Sequence, residues 1–237
     1  PECLELDTEI LHQFHDRSKM MMGILPTGTV PHEPKQRLSS VFWSLPSHQL
    51  NNFLHNSQAH SDWLNQVSKR WKPAADWLEQ VIARPEQKSQ WLTANYRDVV
   101  LSKFGEGRIG VMGDAAHAMS PQLGQGANMA LLDAWALGQA VQSARKNAAL
   151  DYVQLWQTYH QHRQSSTAFY QFLSRLLTPL YQSDLWWAGG LRDLSFAWMY
   201  RIPYFRKEMA VTISGLKLGM FSQMNYRDIA KQNNHSV

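Results

Sequence analysis

The residues best suited to chemistry in this sequence lie in one run, GDAAHAMSPQLGQGANMALLDA, which begins at Gly113. An acidic residue, Asp114, directly follows the apolar stretch 109–112, which predicts a short buried strand. A loop is predicted over 115–126, because its proline and two glycines disfavour a regular helix. A helical pattern then begins at Ala127.

This order of elements can hold a ligand that is both polyhydroxylated and anionic. A carboxylate accepts hydrogen bonds from sugar-like hydroxyls. The free N–H groups and the positive dipole end of a helix N-terminus favour negative charge. Glycines allow close approach of the backbone, because they carry no Cβ. The plainer alternative is that Gly113 and Asp114 only terminate a strand.

The same run resembles the second flavin-binding motif of the class A flavin monooxygenases, the para-hydroxybenzoate hydroxylase-like family, which includes hydroxylases of ubiquinone biosynthesis. The resemblance implies that Asp114 binds the ribityl chain of FAD and that Pro121 lies beside the isoalloxazine. It also implies that the backbone of residues 124–128 faces the pyrimidine edge of the flavin, and that His117 shapes the loop rather than catalysing. The predicted cofactor-binding residues are Gly113, Asp114, Pro121, Gly124, Gln125, Gly126, Ala127 and Asn128.

The family's activity gives the predicted function. The resemblance implies NAD(P)H-dependent hydroxylation of a small aromatic or quinone-precursor substrate, with O2 adding to the reduced flavin to give a C4a-hydroperoxide. The sequence assigns no catalytic residue. Two alternatives stay open: a reductase or halogenase of the same fold, and a folded fragment without activity.

A second glycine pattern, G-x-G-x-x-G at Gly105, Gly107 and Gly110, is rejected as a dinucleotide fingerprint, because no helix follows its third glycine. The resemblance implies such a fingerprint near the N-terminus and an Asp-Gly motif in the middle of the protein. This sequence contains neither. We therefore expect the C-terminal part of a longer flavoprotein, which on its own binds FAD weakly or not at all.

The elements upstream predict part of an antiparallel substrate-domain sheet. Apolar runs at 10–16, 20–25 and 39–45 predict neighbouring strands, and the prolines and glycine between the last two predict a hairpin loop. Phe42 and Trp43 are expected in the core. Residues 49–83 carry three apolar sets typical of three helices, with Pro73 in the first turn of the third and Pro85 ending the run. Residues 96–104 predict one more strand.

Downstream, the pattern predicts helices over 150–177, 184–200 and 204–221, with Pro179 ending the first and Pro203 starting the last. Arg163 and Arg175 are expected on the exposed face of the first helix. In the last helix, apolar residues recur every three or four positions, from Phe205 to Met220, with basic residues elsewhere. Packing within the protein is the plain explanation, and an amphipathic helix on a membrane surface is the alternative.

Composition limits the remaining classes. The chain has 237 residues, a net charge of +4 and no dense basic block, so no nucleic-acid partner is predicted. One cysteine, Cys3, fits a reducing, cytoplasmic location, with the inner face of a membrane as the alternative. No metal-binding pattern is present. The predicted fold is α+β: a substrate-domain portion (1–104), an FAD-binding segment of strand, loop and helix (105–145), and a helical C-terminal region (146–237).

Overall fold

The protein is described here by a computed structural model, which covers residues 3, 6–7, 9–18, 20–30, 32–82, 92–146 and 149–224. The chain forms two compact units, Pro1–Ala94 with Tyr181–Gly190, and Asn95–Leu180 with Leu191–Val237. Each contains helices and antiparallel strands, which confirms the α+β class. The predicted segments 1–104, 105–145 and 146–237 have other boundaries than these units. That they are separate domains stays a prediction.

The first unit is built on a three-stranded antiparallel sheet with the order β1 (His12–Asp16), β2 (Met20–Val30) and β3 (Glu33–Trp43). The three predicted strands are therefore confirmed. The predicted hairpin loop is wrong in extent, because Pro26 and Gly28 lie inside β2. The pairing register shifts between these two residues, as expected where proline cannot donate to the ladder and a glycine at φ +79° permits a bulge.

Three helices follow, as predicted: α1 (Ser47–His55), α2 (Ser57–Arg70) and α3 (Lys72–Ile82). Their buried residues form one core with Met22 and Ile24 of β2. Pro73 lies in the first turn of α3, as expected, while the predicted end at Pro85 lies outside the described residues. The ring of Trp43 lies 5.1 Å from Phe53 and 4.7 Å from Trp63, which confirms its place in the core. The ring of Phe42 lies directly over Gly23, where it fills the space that a Cβ would take.

The second unit contains the motif region and most of the remaining helices. Its elements are β4 (Gly105–Glu106), β5 (Ile109–Gly110), α4 (Asp114–His117), a 3₁₀ turn (Pro121–Leu123), α5 (Gly126–Ala144), β6 (Arg145–Lys146) and β7 (Ala149–Leu150), then α6 (Tyr152–Tyr181), α7 (Ala188–Arg201) and α8 (Pro203–Ile213). The first three residues of α7, 188–190, and the last residue of α6, Tyr181, belong to the other unit. The predicted loop 115–126 thus contains one turn of α-helix and one 3₁₀ turn.

Two predicted strands of this unit are wrong. Residues 96–104 have no regular structure. Their backbone makes isolated hydrogen bonds instead of a ladder: the Val99 N–H donates to Ala118 O, and the Gln171 side chain donates to Val99 O. The predicted buried strand 109–112 shrinks to the two residues of β5, whose Ile109 side chain is 78% exposed. In the described part of the chain, only the equally short β4 pairs with it.

The rejected glycine pattern has a different structural use. Gly105 and Gly110 pair across the β4–β5 hairpin, and a Cβ on either would lie within 2.3 Å of the Trp156 indole. The indole N–H donates to Gly107 O at 2.9 Å. The glycines therefore make room for a tryptophan, and the rejection of a dinucleotide fingerprint is confirmed.

Helices α5 and α6 pack through small residues against aromatic ones. The buried stripe of α5 consists of Met129, Asp133, Ala136, Ala140 and Ala144, and the partly buried Trp135 and Val141 pack against the same core. In α6 the buried face runs from Leu155 through Tyr159 and Arg163 to Tyr170 and Ser174. Burial of Arg163 corrects its expected exposure, while Arg175 is exposed as predicted. Pro179 lies inside α6, which ends two residues later.

The C-terminal helices also differ from the prediction. Pro203 begins α8 as expected, but α8 ends at Ile213 instead of 221. Lys217, expected among the basic residues of an amphipathic helix, is buried and forms an ion pair with Glu208. Since Phe205 and Met209 are also half-buried, the predicted stripe is not one exposed helical face. Among the described residues, no helix is long and apolar enough to cross a membrane.

Candidate functional site

Asp114 occupies the first position of α4. It directly follows Gly113, whose backbone conformation favours glycine. Gly113 has φ +59° and ψ −141°, a conformation that L-residues with a side chain rarely adopt. The Asp114 side chain is exposed. Within the described ranges it receives no side-chain hydrogen bond. The turn therefore presents a carboxylate with all of its acceptor capacity open.

The second feature is the N-terminus of α5. The first helical bond runs from the Met129 N–H to Gln125 O at 2.9 Å, so the N–H groups of Gly126, Ala127 and Asn128 have no backbone acceptor in the part of the chain described. A Cβ at Gly124 or at Gly126 would meet nothing within 4 Å. The backbone at the start of this 19-residue helix is thus open to a ligand.

Two side chains of the predicted set are used inside the protein. Gln125 is buried, and its amide donates to Ile213 O at 2.7 Å and to Leu123 O at 3.2 Å. The Asn128 amide donates to Gln125 Oε1 at 3.2 Å. At Gln125, therefore, only the backbone is available to a ligand. Pro121 is exposed at the start of the 3₁₀ turn.

A buried ion cluster lies beneath this surface. Asp133 Oδ2 accepts from His117 Nε2 at 2.6 Å and from the Gly113 N–H at 2.7 Å. Its other oxygen accepts from Arg163 Nε at 2.7 Å. Arg163 also donates from Nη2 to Met129 O at 3.3 Å. The three side chains are nearly inaccessible to solvent, and the position of His117 agrees with a role in shaping the loop.

The cluster keeps Asp133 ionised. Burial raises the pKa of this carboxyl, but the hydrogen bonds from His117, Arg163 and the Gly113 N–H outweigh burial and bring the pKa to about 2. Nearby, burial and then the Asp133 carboxylate raise the pKa of Tyr159. Burial likewise raises the pKa of Tyr170. At neutral pH the cluster therefore holds a charged carboxylate beside neutral tyrosines.

Sequence reasoning missed both Asp133 and Arg163. A signal did exist: Asp133 lies four residues after Met129, and Arg163 four after Tyr159, so each charge falls on the apolar stripe of its own helix. A charge at such a position is compatible with burial only if it is paired. The sequence of neither helix shows that the two stripes face each other.

The available groups suit a ligand with hydroxyls and negative charge. Asp114 supplies an unpartnered carboxylate, and α5 supplies unpaired N–H groups at the positive end of its dipole. The glycine positions leave the space in front of that backbone open. In the described part of the chain, no group of three His, Cys, Asp or Glu side chains could hold a metal ion. The arrangement can bind and orient a ligand such as the ribityl and flavin portions of FAD.

The fold and this site define a protein of the FAD-binding class. Residues 47–169, just over half of the chain, match the family described as "FAD binding domain". The chain therefore belongs to that family. The match includes helices α1 to α5, all of the predicted cofactor-binding residues and both members of the Asp133–Arg163 pair.

Curated relatives share a shorter stretch of sequence. The chain is 30% identical over 115 residues to a chloroplastic zeaxanthin epoxidase of an Oncidium hybrid cultivar, covering 46% of this chain and 17% of that protein. It is 32% identical over 107 residues to the enzyme of the same name from Solanum lycopersicum, covering 43% and 16%. The chain thus spans about a sixth of the length of these relatives.

Solved structures share the fold at lower identity. The chain resembles Pseudomonas aeruginosa PqsL in complex with 2-aminobenzoylacetate, with a TM-score of 0.62 and 18% identity over 81% of this chain and 48% of PqsL. It also resembles Klebsiella pneumoniae HpxO complexed with FAD and uric acid, with a TM-score of 0.56 and 17% identity over 89% of this chain and 48% of HpxO. The chain spans about half of each.

Proposed function

We propose that this chain holds the ribityl and flavin portions of FAD in an FAD-dependent monooxygenase. The observation that carries the proposal is the exposed, unpartnered Asp114 carboxylate in the same segment as the open N-terminus of α5, inside the region that matches the FAD-binding family. Resemblance to PqsL and HpxO supports the fold.

In this proposal the residues of the site bind and orient the ribityl chain and the ring of FAD. Asp114 accepts hydrogen bonds from ribityl hydroxyls, and the N–H groups of Gly126, Ala127 and Asn128 face the electron-rich edge of the ring, where they favour negative charge. Pro121 lies beside the ring. When bound, the flavin supplies the redox chemistry with O2 and with NAD(P)H as reductant, and the protein supplies position and exclusion of water.

The reaction we propose is hydroxylation of a small aromatic or quinone-precursor substrate in the cytoplasm. The names of the relatives support oxygen insertion as the reaction class, since both Oncidium and tomato proteins are called epoxidases. HpxO holds uric acid together with FAD, which supports a small cyclic substrate.

Titration of FAD into the complete flavoprotein that includes these residues tests the cofactor site. The 237-residue chain alone is expected to bind FAD weakly or not at all, because its G-x-G-x-x-G pattern lies in the β4–β5 hairpin and does not form a strand–turn–helix for the pyrophosphate. Asp114→Ala removes a charge-assisted hydrogen bond worth ~1.5–3 kcal/mol. Since ~1.4 kcal/mol corresponds to a factor of ten, affinity should fall by roughly ten- to a hundredfold.

Asp62→Ala is the matched control, because Asp62 is also an exposed helical carboxylate but lies on α2 in the other unit. It should leave FAD affinity unchanged. Equal affinity of wild type and Asp114→Ala would contradict the assigned role of Asp114. Absence of saturable FAD binding by the complete flavoprotein would contradict the proposal that these residues hold the flavin.

We also propose a peripheral membrane contact within 204–221. What supports it is the exposure of Tyr204, Ile213 and Phe221 in the same stretch of sequence as two exposed cations, Arg206 and Lys207, since aromatic and basic residues together suit an anionic lipid interface. The half-buried residues of the predicted stripe, Phe205 and Met209, are not part of this proposed contact.

Co-sedimentation with vesicles tests this contact. At low salt the chain should sediment with phosphatidylglycerol vesicles and not with phosphatidylcholine vesicles, because screening is weakest there. Arg206→Glu with Lys207→Glu should release it. Arg175→Glu, on an exposed cation of α6, should not. Failure of wild type to bind phosphatidylglycerol would contradict the contact.

A further inference from the structure

The Asp133 carboxylate has an unusual combination of burial and coordination. It is fully inaccessible, yet it carries a charge and accepts three hydrogen bonds of 2.6–2.7 Å. Desolvating an ion pair is costly, and apolar residues of similar volume often stabilise a fold as well or better. Stability alone is therefore a weak reason for placing a carboxylate here.

The partners of Asp133 point to what it organises. One oxygen, Oδ2, accepts from the backbone N–H of Gly113 and from Nε2 of His117. Gly113 immediately precedes α4, and His117 is the last residue of α4. A single oxygen atom thus holds both ends of the turn whose first residue is Asp114.

The position of Asp133 on α5 gives this contact a second consequence. Asp133 lies seven residues, two helical turns, after Gly126, whose unpaired N–H opens α5. A rigid helix therefore connects the Asp133 carboxylate to the open helix N-terminus. The bonds to Gly113 and His117 then fix the Asp114 turn relative to that N-terminus. The hydrogen bonds from His117 and from Arg163 of α6 keep the carboxylate ionised.

We propose that Asp133 is a positioning residue for the flavin, acting through Gly113 and His117 to fix the Asp114 carboxylate against the N-terminus of α5. This inference rests on the proposed function, because it takes FAD as the ligand of Asp114. It assigns a role in cofactor affinity to a side chain that is buried out of reach of any ligand.

A double-mutant cycle on FAD affinity tests this role. Asp133→Asn keeps the shape of the side chain but removes the charge. We expect it to weaken FAD binding about tenfold in the wild-type background. In the Asp114→Ala background it should change affinity less than twofold, because the group that it positions is gone. A side chain that only stabilises the fold would weaken binding equally in both backgrounds, and this result would overturn the proposal.

Variants at His117 provide a conservative rescue. His117→Leu removes the donor to Asp133 and should weaken FAD binding about as much as Asp133→Asn. His117→Gln can place an amide donor near the position of Nε2 and should retain most of the affinity. Equal loss in both variants would overturn the assignment.

Backbone amide exchange gives a readout that needs no cofactor. In Asp133→Asn the Gly113 N–H and the amides of residues 114–118 should exchange at least tenfold faster, while the alanine-rich half of α5 stays protected. Unchanged exchange at Gly113 would overturn the proposal. Faster exchange throughout the unit that is no greater at Gly113 and residues 114–118 than in α5 would also overturn a local positioning role.

The outcomes separate the two proposals. If Asp114→Ala leaves FAD affinity unchanged, the proposed flavin site is wrong whatever Asp133 does. If Asp114→Ala weakens binding but Asp133→Asn does not, the flavin site stands and only the positioning role of Asp133 fails.

Discussion

Replacing Arg163 with methionine should destabilise the second unit strongly. The Arg163 guanidinium is buried to 1% exposure and donates to the fully buried Asp133 at 2.7 Å and to Met129 O at 3.3 Å. Methionine has a similar length and suits an apolar environment. The variant therefore isolates the loss of charge and hydrogen bonds from the loss of volume.

The expected magnitude follows from what remains behind. Asp133 would keep its bonds from Gly113 and His117 but would lose Arg163, the buried counter-ion that carries a permanent charge. Removing one partner of a buried ion pair costs about 3–5 kcal/mol, which is a large part of the 5–15 kcal/mol that stabilises a typical domain. At ~2–4 °C per kcal/mol for a chain of this size, the midpoint of thermal unfolding should fall by roughly 6–20 °C.

The same helix provides a matched control. Arg175 of α6 donates from the same atom type, Nε, to Asp98 at the same distance of 2.7 Å, but these side chains are 53% and 33% exposed. Exposed pairs contribute about 0–1 kcal/mol, so Arg175→Met should lower the midpoint by at most a few degrees. The two substitutions are chemically identical and differ chiefly in burial.

Thermal and urea unfolding at pH 7, with amide exchange of α6 as a local readout, measures the difference. Exchange is needed because two compact units can unfold separately, in which case one midpoint does not describe both. Equal destabilisation by Arg163→Met and Arg175→Met would refute the reasoning, since it would show that burial does not control the contribution of these pairs.

The remaining predictions concern acid stability and a close contact. The pKa of Asp133 is about 2 in the folded chain against a reference of 3.8, so its stabilisation is complete above pH 3.8 and is lost as the pH falls through 2; urea unfolding across this range should show a loss of stability that Asp133→Asn lacks. Gly110→Ala should destabilise the hairpin, because its Cβ would lie 2.1 Å from the Trp156 ring, and Trp156→Ala should relieve most of that penalty in the double variant. Gly138→Ala, where a Cβ meets nothing within 4 Å, should instead stabilise α5 by about 0.5–1 kcal/mol; destabilisation there would contradict the geometric explanation.

Local sequence determined the helices and the first sheet well. Three apolar sets predicted α1 to α3, Pro73 and Pro203 marked helix starts, and three apolar runs predicted β1 to β3. These features depend on spacing and on backbone preferences within a few residues, so one sequence contains the information. The family resemblance of the motif run, now supported by the match over 47–169, was also local in this sense.

Short strands were predicted less well, for a physical reason. A strand is completed by a partner elsewhere in the chain, and residues 96–104 and 109–112 have apolar content without an extended partner among the described residues. Their backbone groups are satisfied by single bonds or by a two-residue hairpin instead. The residue types of these two segments cannot show that a hydrogen-bonded neighbouring strand is missing.

The sequence by itself determined the order of carboxylate, glycines and long helix in this segment, because each depends on neighbouring residue types. Only the tertiary structure decided which charges lie inside. Asp133 and Arg163 are thirty residues apart and on different helices, and each alone would avoid burial. Packing of α5 against α6 brings them together, and the energy of a buried charge depends on that partner rather than on its sequence neighbours. The buried support of the predicted flavin site is therefore a property of the packed helices.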